Sequence, residues 1–137
     1  MALKLYNTLT RTLEPFKEIK KGEVGIYACG PTVYNYVHIG NLRAYIFYDL
    51  VSKYLKYKGY KVKLVSNITD IDDKTIRDSQ KNNQSLTEFT EKYTKAYIED
   101  LTTLNIDLPD EMPKATDYIN QMVDMTKKLL EKGHAYK

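Results

Sequence analysis

An α/β fold built on parallel strands is the architecture this sequence predicts, and three observations predict it. The mostly apolar run Val24-Gly25-Ile26-Tyr27-Ala28 ends in the breaker Gly30-Pro31 and reads as a strand. Residues 41–58 carry the clearest helical period of the chain. Residues 61–67 then alternate, with Val62, Leu64 and Ser66 on one side and Lys61, Lys63 and Val65 on the other. Strand, helix and strand joined this closely make a crossover unit, which should be parallel and right-handed. Two parallel strands are a poor sheet, because parallel sheets are normally covered on both faces and contain more strands. The sequence therefore reads as the N-terminal part of a larger α/β domain.

Each element has its own signal. Residues 3–7 alternate and suit a short edge strand, and residues 14–22 read as a polar connection ending in a turn. The strand at 24–28 is apolar enough to be central in its sheet. In the following helix, which should begin near Asn41, Phe47, Leu50, Val51, Tyr54 and Leu55 share one face, and Leu42 and Ile46 extend it. Gly59 is placed to end that helix. Ser85-Leu86-Thr87-Glu88 fits a capping box, with Phe89, Tyr93, Tyr97, Leu101 and Leu104 continuing behind it, and Asn105 and Pro109 closing the helix. Thr116 could cap a last helix whose apolar face holds Ile119, Met122, Val123, Leu129 and Leu130, with Gly133 as its stop. Residues 134–137 look like the start of another strand. No repeat or low-complexity segment interrupts the chain.

Composition bounds the possibilities. At 137 residues, with 42% hydrophobic and 28% charged side chains, the chain suits one globular domain or part of one. A net charge of +3, from lysines spread along the chain, does not by itself identify a nucleic-acid partner. No apolar run approaches the ~20 residues that span a bilayer. The N-terminal residues lack a signal-peptide core, so the cytoplasm is the expected compartment. A single cysteine excludes an internal disulfide.

The chemistry concentrates at the carboxyl ends of the two strands, where α/β sheets bind ligands. Residues 29–41 hold the only cysteine and one of the two histidines, and they lead into the helix. A strand end feeding a helix N-terminus is a common way to handle phosphate. There His38 and Asn41 can donate to phosphate oxygens, while Gly40 allows close approach to the backbone. Such donors would stabilise charge that develops during phosphoryl or nucleotidyl transfer. On these four residues alone, a helix capped by Asn41 with a surface histidine beside it is the simpler account, since caps of this type are common. Neither a Gly-x-Gly-x-x-Gly fingerprint nor a Walker-type loop is present, which disfavours dinucleotide enzymes and Walker ATPases.

Cys29 could be a small buried hydrophobe, a nucleophile with His38 as its base, or a soft-metal ligand. Asn67-Ile68-Thr69-Asp70-Ile71-Asp72-Asp73-Lys74 follows the second strand and should lie beside the loop at 29–41. A helix start enriched in acids accounts for Asp72 and Asp73. It accounts less well for Thr69 at the mouth. Cys29 and His38 are expected to line one crevice.

Taken in order, these pieces resemble the start of the cysteinyl-tRNA synthetases, a family of class I aminoacyl-tRNA synthetases. The likeness is carried by Leu5-Tyr6-Asn7-Thr8-Leu9-Thr10-Arg11, by Gly25-Ile26-Tyr27-Ala28-Cys29-Gly30-Pro31-Thr32-Val33-Tyr34 and by His38-Ile39-Gly40-Asn41. It continues through the segment at 67–74 and through Glu131-Lys132-Gly133-His134-Ala135-Tyr136, in register along nearly the whole chain.

The resemblance implies a Rossmann-like nucleotide-binding fold with parallel strands and a helical insertion, incomplete in this chain. Residues 1–73 would be the first half of the catalytic domain, and residues 74–137 a helical segment leading into the connective insertion. It implies a ligase that joins L-cysteine to ATP as cysteinyl-adenylate, releases pyrophosphate and charges tRNA(Cys). His38 and Asn41 carry the family's HIGH motif, with asparagine in place of its final histidine. Together with Gly40 they would bind ATP, which comes with magnesium. Gly30, Thr32 and Thr69 match positions of the amino-acid pocket, and Cys29 matches one ligand of the family's zinc.

Zinc suits the task, because a thiolate bound to a soft-accepting metal separates cysteine from serine far better than an apolar pocket can. The other zinc ligands, the KMSKS loop and the anticodon-binding region are absent from these residues, so the 137 residues alone should not catalyse ATP–pyrophosphate exchange. A monomer with no membrane attachment is expected. The rival readings are a mycothiol-pathway cysteine ligase with the same adenylate chemistry, a truncated non-catalytic nucleotide-binding paralogue, and a metal-free nucleotide-binding module.

Overall fold

The computed structural model describes residues 3–136. Its centre is the expected crossover. Strand β3 (Glu23–Ala28) leads through the loop at 29–38 into helix α1 (Ile39–Tyr57) and returns as strand β4 (Lys61–Ser66). The two strands pair in parallel, with Val24 opposite Val62, Ile26 opposite Leu64 and Ala28 opposite Ser66. Helix α1 packs on both strands. Gly59 stands at φ +91°, a left-handed conformation that closes the helix at little cost for glycine.

The sheet order departs from expectation. Strand β4, not β3, lies in the middle. On the side away from β3, residues 110–115 run parallel to β4, with bridges between Val65 and Glu111 and between Ile68 and Lys114. Ser66 N–H donates to Glu111 O (3.0 Å), and Ile68 N–H donates to Pro113 O (2.8 Å). Pro113 lacks an N–H, so this third ladder is interrupted and forms no regular strand. Among the described residues β3 is an edge strand, although only Val24 and Ala28 of its side chains are buried.

A second departure precedes it. Strand β1 (Lys4–Asn7) pairs antiparallel with β2 (Thr12–Pro15), where a polar connection was expected over the latter part. The hairpin turn places Arg11 at φ 57°, a position usually taken by glycine or asparagine, so its signal is weak. Glu14 holds the hairpin by accepting from Asn7 Nδ2 (3.2 Å), Thr12 Oγ1 (3.0 Å) and Thr10 Oγ1.

Helix α2 (Asp73–Lys81) starts on the N-cap Asp72, whose carboxylate accepts from Lys74 N–H at 2.9 Å. Helix α3 (Leu86–Thr103) starts on the expected box, Ser85 with Glu88, packs on α2 and ends before Asn105 at φ 56°. A short 3₁₀ turn (Ala115–Tyr118) precedes helix α4 (Ile119–Glu131). Thr116 does not cap α4. It lies inside the 3₁₀ turn, and its hydroxyl and N–H both donate to the buried carboxylate of Asp70, at 2.6 and 3.0 Å. The apolar face of α4 exists as read, yet no residue of the helix is buried. Residues 134–136 form no strand, and Lys137 lies outside the described residues, as do Met1 and Ala2.

The main core gathers Val33, Tyr45, Ile68, Tyr97, Leu101 and Ile106. It draws on both sides of residue 73. The buried side of α1 is Tyr45, Ser52 and Leu55. The expected stripe is only partly inward: Leu55 is buried and Leu42 packs on the core, while Ile46, Phe47, Leu50 and Tyr54 are exposed. Tyrosine supplies the inward side instead, because its ring buries as well as phenylalanine's while its hydroxyl dilutes the apolar pattern. Burial pushes the Tyr97 phenol up to about 12.

Candidate active site

The loops that follow β3 and β4 meet as expected. Thr32 and Thr69 are direct partners across a parallel bridge. Val33 N–H donates to Thr69 O at 3.1 Å, and Thr69 N–H donates to Pro31 O at 3.0 Å. Val33 and Ile68, each 1% exposed, anchor the two loops in the core directly beneath. A glycine is obligatory at position 30. A Cβ there would fall 1.6 Å from the Asn67 carbonyl oxygen and 3.0 Å from Ser66 Oγ, so no side chain fits without parting the strand ends. Gly30 N–H in turn donates to Asn67 Oδ1 at 3.1 Å.

Helix α1 begins two residues earlier than its sequence suggests. His38 is the N-cap, and Asn41 lies inside the first turn. Gly40 N–H donates to His38 Nδ1 at 3.1 Å, while His38 N–H donates to Asn41 Oδ1 at 3.2 Å. This reciprocal pair fixes both side chains. An imidazole that accepts through Nδ1 carries its proton on Nε2, and an amide whose oxygen is occupied keeps both N–H groups of Nδ2. The first turn thus presents side-chain donors at the positive end of the helix. Its backbone N–H groups are mostly engaged, since those of Asn41 and Leu42 donate to His38 O. Gly40 serves the imidazole itself, because a Cβ there would press on Nδ1 at 3.3 Å.

A cleft of about 420 Å³ lies between these parts, lined by Gly30, Pro31, Thr32, Tyr34, His38 and Asn41 among others. Four of the sequence-predicted residues, Gly30, Thr32, His38 and Asn41, therefore share one cavity. Cys29, Gly40 and Thr69 are not in its lining, so the crevice expected to hold Cys29 with His38 contains only the imidazole, although the chain neighbour of Cys29 and the bridge partner of Thr69 line it. Cys29 is exposed, which removes the reading of it as a buried hydrophobe. Among the described residues its one polar contact is a long one to Gly30 O, at 3.7 Å. Among the described residues no three His, Cys, Asp or Glu side chains gather as a metal site. Cys29 can be one ligand of a metal, and these residues do not complete a shell. They also hold no helix long and apolar enough to cross a membrane.

Two residues escaped the reading of the sequence. Lys74 stands 4.9 Å over the ring of Tyr34 and brings a cation to the wall of the cleft. Asn67 bridges the two loops. Both lie in the segment at 67–74, and their contacts are set by the fold and not by spacing along the chain.

The family described as tRNA synthetases class I (C) catalytic domain matches residues 15–137. The chain is similar to the Cysteine–tRNA ligase of Methanosarcina mazei, 55% identical over 134 residues, which are 98% of this chain and 28% of that protein. It is similar to the Cysteine–tRNA ligase of Finegoldia magna, 53% identical over 135 residues, covering 98% of this chain and 29% of the relative. The Cysteine–tRNA ligase of Fusobacterium nucleatum is 50% identical over 135 residues, covering 98% and 28%. The chain thus spans less than a third of the length of the curated relatives it matches.

Proposed function

We infer the function from one premise, that the chain belongs to the family of class I (C) tRNA synthetase catalytic domains. We propose that it supplies the ATP-binding part of a cysteine–tRNA ligase, which activates L-cysteine as the adenylate and transfers it to tRNA(Cys). Residues 1–73 are then the first half of the Rossmann-like domain, and residues 74–137 lead into its helical insertion. The observation that carries the proposal is the cleft at the strand ends, where His38 and Asn41 turn their free donors outward from a shared capping bond.

In this reading the cysteine carboxylate attacks the α-phosphorus of ATP, the bond to the bridging oxygen breaks, and pyrophosphate leaves with the electron pair. His38 Nε2–H and Asn41 Nδ2–H bind phosphate oxygens and stabilise the charge that builds on them, helped by the α1 dipole. Magnesium accompanies the nucleotide. Gly30, Thr32 and Thr69 bound the amino-acid pocket, and glycine at position 30 lets the two strand ends close on each other beneath it. Cys29 would supply one thiolate ligand to a zinc ion, and the described residues do not supply the others. When bound, that ion separates a thiol from a hydroxyl by its preference for sulfur. The cytoplasm, where tRNA is charged, is the compartment that suits an exposed lone thiol.

Charging of tRNA(Cys) by the complete protein tests this directly. Cysteinyl-tRNA should form with ATP and cysteine and not with serine. Adenylate formation without charging of any tRNA would overturn the assignment, as would equal use of serine. Cys29→Ser should lower cysteine-over-serine selectivity by more than it lowers the affinity for ATP.

A further inference from the structure

The cleft proposed for ATP has donors but no cation of its own. His38 and Asn41 offer N–H groups, and among the described residues no lysine or arginine lines it. A triphosphate carries several negative charges, and bonds from a charged donor to phosphate are much stronger than those from a neutral one.

Lys74 stands beside this gap. Its side chain leaves the first turn of α2 and is exposed, and its ammonium lies 4.9 Å from the centre of the Tyr34 ring. Tyr34 is half-buried and forms part of the cleft wall. The ammonium is uncommitted. Asp72 and Asp73 precede it in the chain, yet among the described residues Lys74 forms no ion pair. Asp72 instead turns Oδ1 to the backbone N–H of Lys74, at 2.9 Å. Arg77, one turn further along α2, is already engaged, since Nε and Nη2 donate to the two carboxylate oxygens of Asp78 at 2.7 and 2.9 Å. A cation on a partly exposed ring is held weakly, whereas an ammonium on a phosphate oxygen makes a charge-assisted hydrogen bond.

We propose that Lys74 is a further ATP-binding residue, whose ammonium leaves the Tyr34 ring for a phosphate oxygen when nucleotide fills the cleft. The ring keeps the charge at the wall, and the flexible stem of the lysine lets it move from there. A second element, α2, thereby adds a full positive charge to the neutral donors of α1. This rests on the reading of the cleft as the ATP site.

A plain packing role, with the lysine stem covering Tyr34, makes a different prediction for Lys74→Met. Methionine keeps an apolar side chain of similar length for the ring and removes the charge.

The experiment compares wild type, Lys74→Met, Lys74→Arg and Lys92→Met in cysteine-dependent ATP–pyrophosphate exchange by the complete protein. Lys92 is the control, because its ammonium stands 5.1 Å over the ring of Tyr93, which does not line the cleft. Lys74→Met should lower kcat/KM for ATP about tenfold, the size of one hydrogen bond to a charged group, with KM for cysteine unmoved. Lys74→Arg keeps the charge and should stay close to wild type, as should Lys92→Met. Wild-type exchange by Lys74→Met would overturn the inference while leaving the proposed function intact, even if charging of tRNA were lost. A Lys74→Arg protein as impaired as Lys74→Met, or an equal loss in Lys92→Met, would do the same. A wild-type protein with no cysteine-dependent exchange would overturn both.

Discussion

The loops at the ends of β3 and β4 and the helix α4 are built from similar apolar content and meet opposite fates. In the loops, Val33 and Ile68 are each 1% exposed and drop into the core. Around them Thr32, Thr69, Gly30 and Asn67 are bonded across the gap. In α4 the apolar face of Ile119, Met122, Val123, Leu129 and Leu130 stays between 37% and 48% exposed, and nothing in the helix is buried. Amphipathic spacing makes a helix legible and does not by itself bury it. A loop with two deep anchors, by contrast, is tied into the core from below. The residues proposed for chemistry stand on the firm region, where a side chain can be aimed before any ligand arrives.

That contrast can be broken most sharply at Gly30. Gly30→Ala drives a methyl group into the Asn67 carbonyl and should cost more than about 3 kcal/mol of unfolding free energy by urea titration. Gly25→Ala, within β3 itself, meets nothing within 4 Å and should be near neutral. Equal effects at the two glycines would show that the strand ends do not cross as closely as described. A second comparison sets Ile68→Ala against Met122→Ala. The first opens a cavity in the core and should cost about 3 kcal/mol; the second removes a half-exposed side chain and should cost under about 1 kcal/mol. Parity between them would mean that α4 is covered.

The smallest effect sharpens the picture at a helix start. Ser85→Ala removes the cap of α3 and should cost about 1 kcal/mol near neutral pH. The hydroxyl and N–H of Ser85 donate to Glu88 and hold its carboxyl below the ordinary value of 4.5. A depressed carboxyl stabilises the fold above its unfolded value, and that contribution fades as pH falls through the folded value. The gap in stability between wild type and Ser85→Ala should therefore narrow as the pH drops below 4.5, followed by circular dichroism. A gap that widens in acid would refute the assignment.

What the sequence made legible was whatever local chemistry decides. The crossover from β3 through α1 to β4 followed from two periods and a breaker, the α3 capping box from Ser85 and Glu88, and the end of α1 from Gly59. What it hid was decided at a distance. Hydrophobic spacing found Leu55 and Leu42 but set the inward side of α1 off-centre, since Tyr45 and Ser52 turn inward while Phe47 and Leu50 stay out. Apolar content made β3 look central, yet a proline-broken segment 45 residues beyond Ser66 reaches the far side of β4 and leaves β3 at the edge. The hairpin of β1 and β2 went unread because Arg11 holds a turn position that glycine normally marks.

The candidate site was legible in its residue types and not in its wiring. His38, Asn41, Gly30 and Thr32 were named from the sequence and do share a cleft. That His38 rather than Asn41 caps the helix, and that Asn67 donates to Thr69, depends on which atom faces which, and spacing carries no such information.

The central claim is that His38 meets a phosphate in the reaction of cysteine with ATP, and cysteine-dependent ATP–pyrophosphate exchange by the complete protein measures it most directly. We expect clear exchange in the wild type and a loss on the order of 10²-fold or more in kcat for His38→Ala, with cysteine binding largely kept. Exchange that runs undiminished without the imidazole, or that never depends on cysteine, would contradict the account.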